Sequence, residues 1–210
     1  MSDSAVVLHE PWPDLARQRE GVSLGIWVFL SSEILFFGGL FLGYATYRYL
    51  YPEAFRAAAQ ETELFYGALN TVLLLTSSFT MTVALRSADF GYRRMTLICL
   101  TVTALLGCGF LVGKGFEYHD DLTKGLFPGA QFPLPAVQEQ MFWAFYWVMT
   151  GVHATHLSVG IGLVAFVAVL LYRGALRTES TTFTAVALYW HFVDIIWILL
   201  VPLIYLVGRP

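Results

Sequence analysis

The sequence predicts an all-α membrane protein built as one bundle of five transmembrane helices. Of its 210 residues, 57% are hydrophobic and 13% are charged, and the mean hydropathy is +0.64, which is far from the composition of a soluble domain. Apolar runs long enough to cross a bilayer, which takes roughly 20 helical residues, lie at about 23–47, 65–85, 95–114, 141–172 and 184–207. We therefore expect a polar tail over 1–22 and a single membrane domain over 23–207.

The polar tail and the loops indicate an orientation. The tail has no hydrophobic signal core, so the first apolar run is expected to stay as a membrane helix. Basic residues are more frequent in cytoplasmic loops than outside. The amino-terminal side carries Arg17, Arg19, Arg86, Arg93, Arg94, Arg173 and Arg177, and the other side carries Arg48, Arg56, Lys114, Lys124 and Arg209. This excess predicts the amino terminus inside and the carboxy terminus outside. A net charge of −3 without a basic stripe argues against a nucleic-acid partner.

The first span contains Glu33, about ten residues from its start and so roughly 15 Å deep. Phe36 and Phe37 follow it one helical turn later. A bare carboxylate at this depth is costly, so we expect Glu33 to be neutral or tightly paired. A structural hydrogen bond, proton handling and lipid contact all remain open. Small residues form a seam on this span that would let another helix approach closely; they are Gly25, Ser32, Gly39 and Gly43.

The next two spans offer fewer candidates. Asn70 in the second span cannot satisfy its amide on its own helix as easily as a hydroxyl can, so we expect it to bond across helices. Lys114 and Glu117 are three residues apart at the end of the third apolar run. They are spaced to pair on one face, and we expect the lysine to extend along the helix to the membrane surface.

The fourth and fifth spans carry histidines and an aspartate near mid-membrane. His153 and His156 share a helix face, and so do His191 and Asp194. An aspartate at this depth costs at least ~2.5 kcal/mol unless it finds a partner. We therefore predict that His191 and Asp194 are structural and bond to the fourth span near His153 or His156.

Three of these histidines raise the question of a metal or haem site. His153, His156 and His191 are residue types that ligate zinc, copper or haem iron. However, the helical signature with glutamate between two histidines at i and i+4 is absent. We expect no catalytic, metal or cofactor-binding residue in this chain. The polar residues expected to make intramembrane contacts with lipid, neighbouring helices or another subunit are Glu33, Asn70, Lys114, Glu117, His153, His156, His191 and Asp194.

Five motifs together resemble subunit III of the haem-copper respiratory oxidases, in that family's order. They are residues 27–33 (Trp-Val-Phe-Leu-Ser-Ser-Glu), 69–71 (Leu-Asn-Thr) with 77–78 (Ser-Ser), 114–118 (Lys-Gly-Phe-Glu-Tyr), 150–156 (Thr-Gly-Val-His-Ala-Thr-His) and 189–194 (Tyr-Trp-His-Phe-Val-Asp). Each motif is weak alone, whereas five in order on five spans are specific.

The resemblance implies an accessory, cofactor-free subunit of a proton-pumping terminal oxidase, a cytochrome c oxidase of aerobic respiration. It implies packing against subunit I, which holds the haems and copper, with subunit II and a small subunit IV as further partners. It also implies bound phospholipid, a role in sustained proton uptake and turnover, and a place in the bacterial inner membrane. Glu33 matches the family's intramembrane carboxylate. Many members have seven spans, so the family's lipid cleft would here need a wall from another subunit.

Other functions remain as alternatives. Subunit III of a quinol oxidase or of a nitric oxide reductase complex has the same pattern, although quinol-oxidase relatives can carry aspartate in place of Glu33. An independent proton-coupled transporter would use Glu33, His191 and Asp194 as a relay, but the chain shows no inverted repeat. A stand-alone membrane metalloenzyme lacks a convincing ligand set.

Overall fold

The computed structural model describes residues 15–129, 132–133, 137–175 and 181–207, and all regular secondary structure within them is helical. The helices are α1 (Leu15–Leu50), α2 (Pro52–Gln60), α3 (Leu64–Asp89), α4 (Arg93–Thr123), α5 (Val137–Tyr172) and α6 (Thr181–Ile204). All except α2 are long and apolar enough to cross a membrane. The prediction of an all-α chain with five spans is confirmed. Most of the expected polar tail lies outside the described residues.

The helices extend beyond the apolar runs that predicted them. α4, for example, continues past Lys114 to Thr123, so Lys114 lies well inside the helix. The long helices show almost no separation of polar and apolar faces. Such a pattern is expected when one side of a helix meets protein and the other meets lipid, since both surroundings are apolar.

The short helix α2 differs from the spans because it is amphipathic. Proline at its first position suits a helix start, where the missing N–H would have had no helical partner. Its apolar side buries Phe55, Ala58 and Ala59, and the helix packs against α5 and α1. α2 therefore closes the connection between the first and second spans without crossing the membrane.

Glycines with positive φ follow several of the spans, among them α3 and α4. Gly91 (φ 73°) follows α3, and Gly125 (φ 74°) follows α4. In each case the next residue donates its N–H to a carbonyl five residues earlier, Tyr92 to Ser87 and Leu126 to Asp121. This backbone turn needs the left-handed conformation that glycine adopts most easily.

Successive spans run in opposite directions, and α6 lies at the centre. We call the end of the bundle at which α4 and α6 finish the C-terminal end. α6 is the most buried span and α1 the least, and α6 contacts α1, α3 and α5. Its Trp190 and Trp197, seven residues apart, are fully buried, and Trp197 packs edge-on against Phe110 of α4 at 4.6 Å between ring centroids.

Helix α1 packs at the edge of the bundle. Phe37 and Tyr44 are its main buried aromatic side chains, and the Tyr44 hydroxyl donates a hydrogen bond to the carbonyl of Leu203 in α6. Most of its other apolar side chains, Leu35 and Leu42 among them, are exposed on the described surface. That surface suits contact with lipid or with another membrane helix.

Candidate functional site

A buried polar cluster lies near the C-terminal end of the bundle. Lys114, Glu117 and Asp121 are spaced by three and four residues on α4 and therefore share one face. That face points inward, since Lys114 is 2% exposed and Glu117 and Asp121 are each 1% exposed. Tyr146 of α5 and Tyr205, which follows the end of α6, complete what we call the Lys114 cluster.

Two phenols bridge the ammonium group and the carboxyl groups. Lys114 Nζ donates to Tyr146 OH at 3.0 Å and to Tyr205 OH at 2.8 Å, and it lies 3.1 Å from Glu117 Oε2. The Tyr205 hydroxyl donates to Glu117 Oε1 at 2.6 Å. The Tyr146 hydroxyl lies 2.9 Å from the same Oε1 and 2.6 Å from Asp121 Oδ2. The phenols thus supply the polar contacts that water would supply at a surface, which lowers the cost of burying charge.

Aromatic rings enclose the ammonium group. Lys114 Nζ lies 4.4 Å from the ring centroid of Tyr146 and 4.9 Å from that of Tyr118, within the range of a cation–π interaction. The pairing of Lys114 with Glu117 that their spacing allows is present. The expectation that Lys114 reaches to the membrane surface is wrong, because α4 continues beyond it and a counter-charge is available inside the bundle.

Close packing fixes the position of Tyr205. A Cβ atom built on Gly67 of α3 would lie 2.9 Å from the Tyr205 ring, so the ring rests on bare backbone at that point. Any larger residue at position 67 would have to displace the Tyr205 ring, whose hydroxyl accepts from Lys114.

A second polar pair joins α1 to α5. Glu33 Oε2 lies 3.0 Å from His156 Nε2, which confirms the expectation of a tightly paired carboxyl. His156 Nδ1 lies 2.9 Å from the carbonyl of Val152, which can only accept, so Nδ1 carries a hydrogen. The remaining contact holds one proton, either on the carboxyl or on Nε2, and the pair is neutral overall in both cases. Glu33 is 18% and His156 21% exposed, so the pair reaches the bundle surface.

His191 and Asp194 of α6 face α3. His191 Nδ1 lies 2.7 Å from Ser78 Oγ. Asp194 is buried, and the polar group that faces its carboxyl is the hydroxyl of Ser78. The prediction that His191 and Asp194 bond to the fourth span, α5, is therefore wrong. The rotation of α6 turns both side chains toward α3.

Two further polar residues singled out in the sequence, Asn70 of α3 and His153 of α5, are fully buried. The Asn70 amide packs against Gly113 of α4, where an added Cβ would lie 2.8 Å from its Oδ1. The His153 ring lies 5.5 Å from Phe110 and 5.1 Å from Trp197 between centroids. Neither side chain has a hydrogen-bond partner in the described part of the chain, so the expected bond of Asn70 across helices is wrong.

The structure does not bring the three histidines to one point. His153 packs among aromatic rings, His156 contacts Glu33, and His191 contacts Ser78. Across residues 15–129, 132–133, 137–175 and 181–207, no three His, Cys, Asp or Glu side chains are grouped so that they could hold a metal ion. That this chain carries no cofactor stays a prediction.

An exposed ion pair lies close to the Lys114 cluster. Lys124 Nζ donates to Glu63 Oε1 at 2.8 Å, and the two side chains are 40% and 50% exposed. This hydrogen bond raises the pKa of Lys124 above its ordinary value. The pair joins the end of α4 to the start of α3. Its exposed lysine can be compared with the buried Lys114.

Sequence reasoning missed Asp121, Tyr146, Tyr205 and Ser78. Asp121 continues the three- and four-residue spacing that begins at Lys114 and Glu117, and this spacing was a usable signal. No sequence signal pointed to the tyrosines. Tyr205 lies 91 positions from Lys114 along the chain, and only the packing of α6 against α3 and α5 brings the two residues close.

Comparison with known proteins identifies relatives over nearly the whole chain. The family model described as cytochrome c oxidase subunit III matches residues 15–209. A cytochrome c oxidase subunit 3 of Thermostichus vulcanus is 38% identical over 192 residues, which cover 89% of this chain and 87% of that protein. A probable quinol oxidase subunit 3 of Staphylococcus haemolyticus is 27% identical, with 92% and 93% covered. A heme-copper oxidase subunit I+III of Aeropyrum pernix is 30% identical over 96% of this chain and 24% of that longer protein.

Proposed function

This chain belongs to the cytochrome c oxidase subunit III family, and we propose that it is an accessory, non-catalytic subunit of a proton-pumping cytochrome c oxidase. The observation that carries the proposal is the family match over residues 15–209, which includes all five candidate spans. In this role the chain holds no haem or metal of its own, and partner subunits supply them.

Direct packing against subunit I is part of the proposal. The Aeropyrum relative is named as subunits I and III in one chain, and fusion places two chains at high effective concentration. The seam of small residues on α1 supports a helix–helix contact, since a Cβ on Gly25 or Gly39 would meet no atom within 4 Å. A partner helix can approach closely there. Subunit II, a small subunit IV and phospholipid, held where α1 meets a partner, complete the proposed surroundings.

The proposed orientation has the amino terminus inside a bacterial inner membrane and the carboxy terminus outside. The buried position of Lys114 supports this orientation, because a lysine inside the bundle is not a loop charge. Without it, seven basic residues flank the inner side and four the outer side, which widens the bias that sets orientation.

We propose that the pair formed by Glu33 and His156 stabilises the complex rather than carrying protons. The pair is neutral and satisfied at the surface of α1 and α5, so it joins two spans without a net charge in lipid. A carboxyl held in this way is a poor rapid proton carrier unless water reaches it. The expected role is therefore endurance during turnover.

A quinol oxidase is the second candidate. It rests on the Staphylococcus relative, which is named a probable quinol oxidase subunit 3 and covers almost the same length. The higher identity to a cytochrome c oxidase subunit 3, 38% against 27%, favours the cytochrome c oxidase. Rates of oxygen consumption with reduced cytochrome c and with a quinol, measured on one preparation, distinguish the two.

Deletion of the gene tests the accessory role. We expect the oxidase purified without this chain to keep its haem spectrum and most of its initial oxygen consumption, and to lose activity sooner during turnover. Re-expression of the chain is the control and should restore endurance. Abolished oxygen reduction from the first turnovers, with the haem spectrum and the other subunits unchanged, would contradict a non-catalytic role.

A further inference from the structure

We propose that the Lys114 cluster is a proton-binding site, in which one proton is shared between Asp121 and Glu117 through the hydroxyl of Tyr146. The proposal rests on the number of hydrogens that the observed contacts require. It concerns groups that are inside the bundle and away from the pair formed by Glu33 and His156.

The hydroxyl of Tyr146 has more partners than its single hydrogen can serve. It accepts from Lys114 Nζ at 3.0 Å, and a phenol can accept one further hydrogen and donate one. Its oxygen also lies 2.6 Å from Asp121 Oδ2 and 2.9 Å from Glu117 Oε1. If both carboxyls were ionised, one of these two contacts would bring two oxygen atoms together without a hydrogen between them.

One additional proton satisfies every contact. With the proton on Asp121, its carboxyl donates to Tyr146, and Tyr146 donates to Glu117. With the proton on Glu117, that carboxyl donates to Tyr146, and Tyr146 donates to Asp121. The two arrangements differ only in the direction of the hydrogen bonds through one phenol, so the proton belongs to both carboxyls together.

The balance of charge requires the same proton. The cluster contains one ammonium and two carboxyl groups, all at most 2% exposed, so two ionised carboxylates would leave an uncompensated buried negative charge. Such a charge is costly in an apolar interior. The contact of 3.1 Å between Lys114 and Glu117 favours the ionised state for Glu117, and therefore the proton for Asp121.

The other groups that face the cluster do not replace this proton. From α4, Tyr118 adds a ring over Lys114, but its hydroxyl bonds to Thr150 of α5. Tyr205 donates its only hydrogen to Glu117. Lys124, just past the end of α4, is bonded to Glu63 at the surface. Arg48 of α1 and Arg56 of α2 also lie at this end, and both are exposed. His153 of α5 faces the Lys114 ammonium group.

A dependence on pH follows from the proposal. The folded cluster binds one proton that an exposed carboxyl in the unfolded chain releases at neutral pH. Stability therefore falls as the pH rises from the range in which an exposed carboxyl ionises to the range in which the folded site loses its proton. The cluster would then hold the ends of α4, α5 and α6 together more weakly above that range than below it.

Infrared difference spectroscopy on the purified complex that contains this chain tests whether Asp121 and Glu117 share one proton. We expect the wild type to show the carbonyl stretch of one protonated carboxyl that is lost in Asp121→Asn and also in Glu117→Gln, because either change removes the need for the shared proton. Asp120→Asn is the matched control. Asp120 is the neighbouring aspartate, which accepts from Tyr66 at 3.0 Å, and its replacement should leave the band in place.

Two results would overturn the proposal. A spectrum of Asp121→Asn that keeps every protonated-carboxyl band of the wild type would show that Asp121 and Glu117 are both ionised. A band lost in Asp121→Asn but retained in Glu117→Gln would show that Asp121 holds its proton independently. Tyr146→Phe keeps the ring and provides a test if the other variants do not accumulate. It should shift the band, since Tyr146 is the hydrogen-bond partner of the protonated group, and an unshifted spectrum would contradict the sharing.

Discussion

The buried lysine is the position at which the structure makes its largest energetic prediction. Lys114→Met keeps an unbranched apolar stem of similar length but removes the ammonium group. Glu117 then remains buried at 1% exposure without its counter-charge, and both phenols lose their donor. Removing one partner of a buried ion pair costs about 3–5 kcal/mol, mostly as the cost of the charge left behind. We expect the subunit to accumulate less and to dissociate or unfold at a clearly lower temperature.

Two variants sharpen this test. Lys124→Met removes the lysine of the exposed pair with Glu63, and an exposed pair contributes only about 0–1 kcal/mol. The double variant Lys114→Met, Glu117→Gln removes both buried charges and should recover most of the lost stability. Heating in detergent, followed by measurement of the fraction of intact subunit, gives all four values. Similar losses for Lys114→Met and Lys124→Met would refute the reasoning, as would a double variant no better than the single one.

Three further predictions concern the other contacts. Glu33→Gln should change initial oxygen consumption little, whereas Glu33→Ala should hasten inactivation during turnover, because only the alanine removes the polar contact of Glu33 with His156. Ser78→Ala leaves His191 Nδ1 without its partner at 2.7 Å and should cost about 1–3 kcal/mol of stability, measured by heat inactivation. Gly67→Ala places a Cβ 2.9 Å from the Tyr205 ring and should lower stability by displacing the phenol that bonds to Lys114 and Glu117.

Each of these predictions has either a contradicting outcome or a control variant. A large immediate loss of proton pumping in Glu33→Gln, with the complex intact, would favour a direct proton role. Thr82→Ala is the control for Ser78→Ala, because the exposed Thr82 hydroxyl bonds within α3. An equal loss of stability in the two variants would show that the contact of Ser78 with His191 contributes nothing. Gly115→Ala adds a Cβ that meets nothing within 4 Å and should stabilise α4 by up to ~1 kcal/mol. Gly67→Ala behaving in the same way would show that Tyr205 can move freely.

The number of spans could be predicted from the sequence because lipid imposes a minimum apolar length on every crossing segment. The ends of the helices could not, since the polar turns that finish them are not apolar and still form helix. Lys114 shows the consequence. It ends an apolar run and was expected at the surface. However, α4 continues to Thr123, so Lys114 lies within the helix and inside the bundle. The short helix α2 was missed because it is too short to appear as a span.

For the polar residues inside the membrane, the need for a partner on another helix could be predicted, but the identity of that partner could not. The depth of Glu33 required a partner, but the choice of His156 depends on how α1 is rotated against α5. His191 was likewise expected to need a partner, and the rotation of α6 gives it Ser78 rather than a residue of α5. Rotation about a helix axis is weakly encoded in a chain that is apolar on all sides, because lipid-facing and protein-facing residues have similar character.

Affinity purification of the tagged chain from its native membranes tests the proposed function most directly. We predict that the chain is isolated with a haem- and copper-containing partner at equal stoichiometry, and that all haem and copper remain with that partner when the chain is dissociated. A tagged chain that is isolated alone and carries out transport, or one that retains stoichiometric haem, copper or zinc after separation, would contradict the proposal of an accessory, cofactor-free subunit.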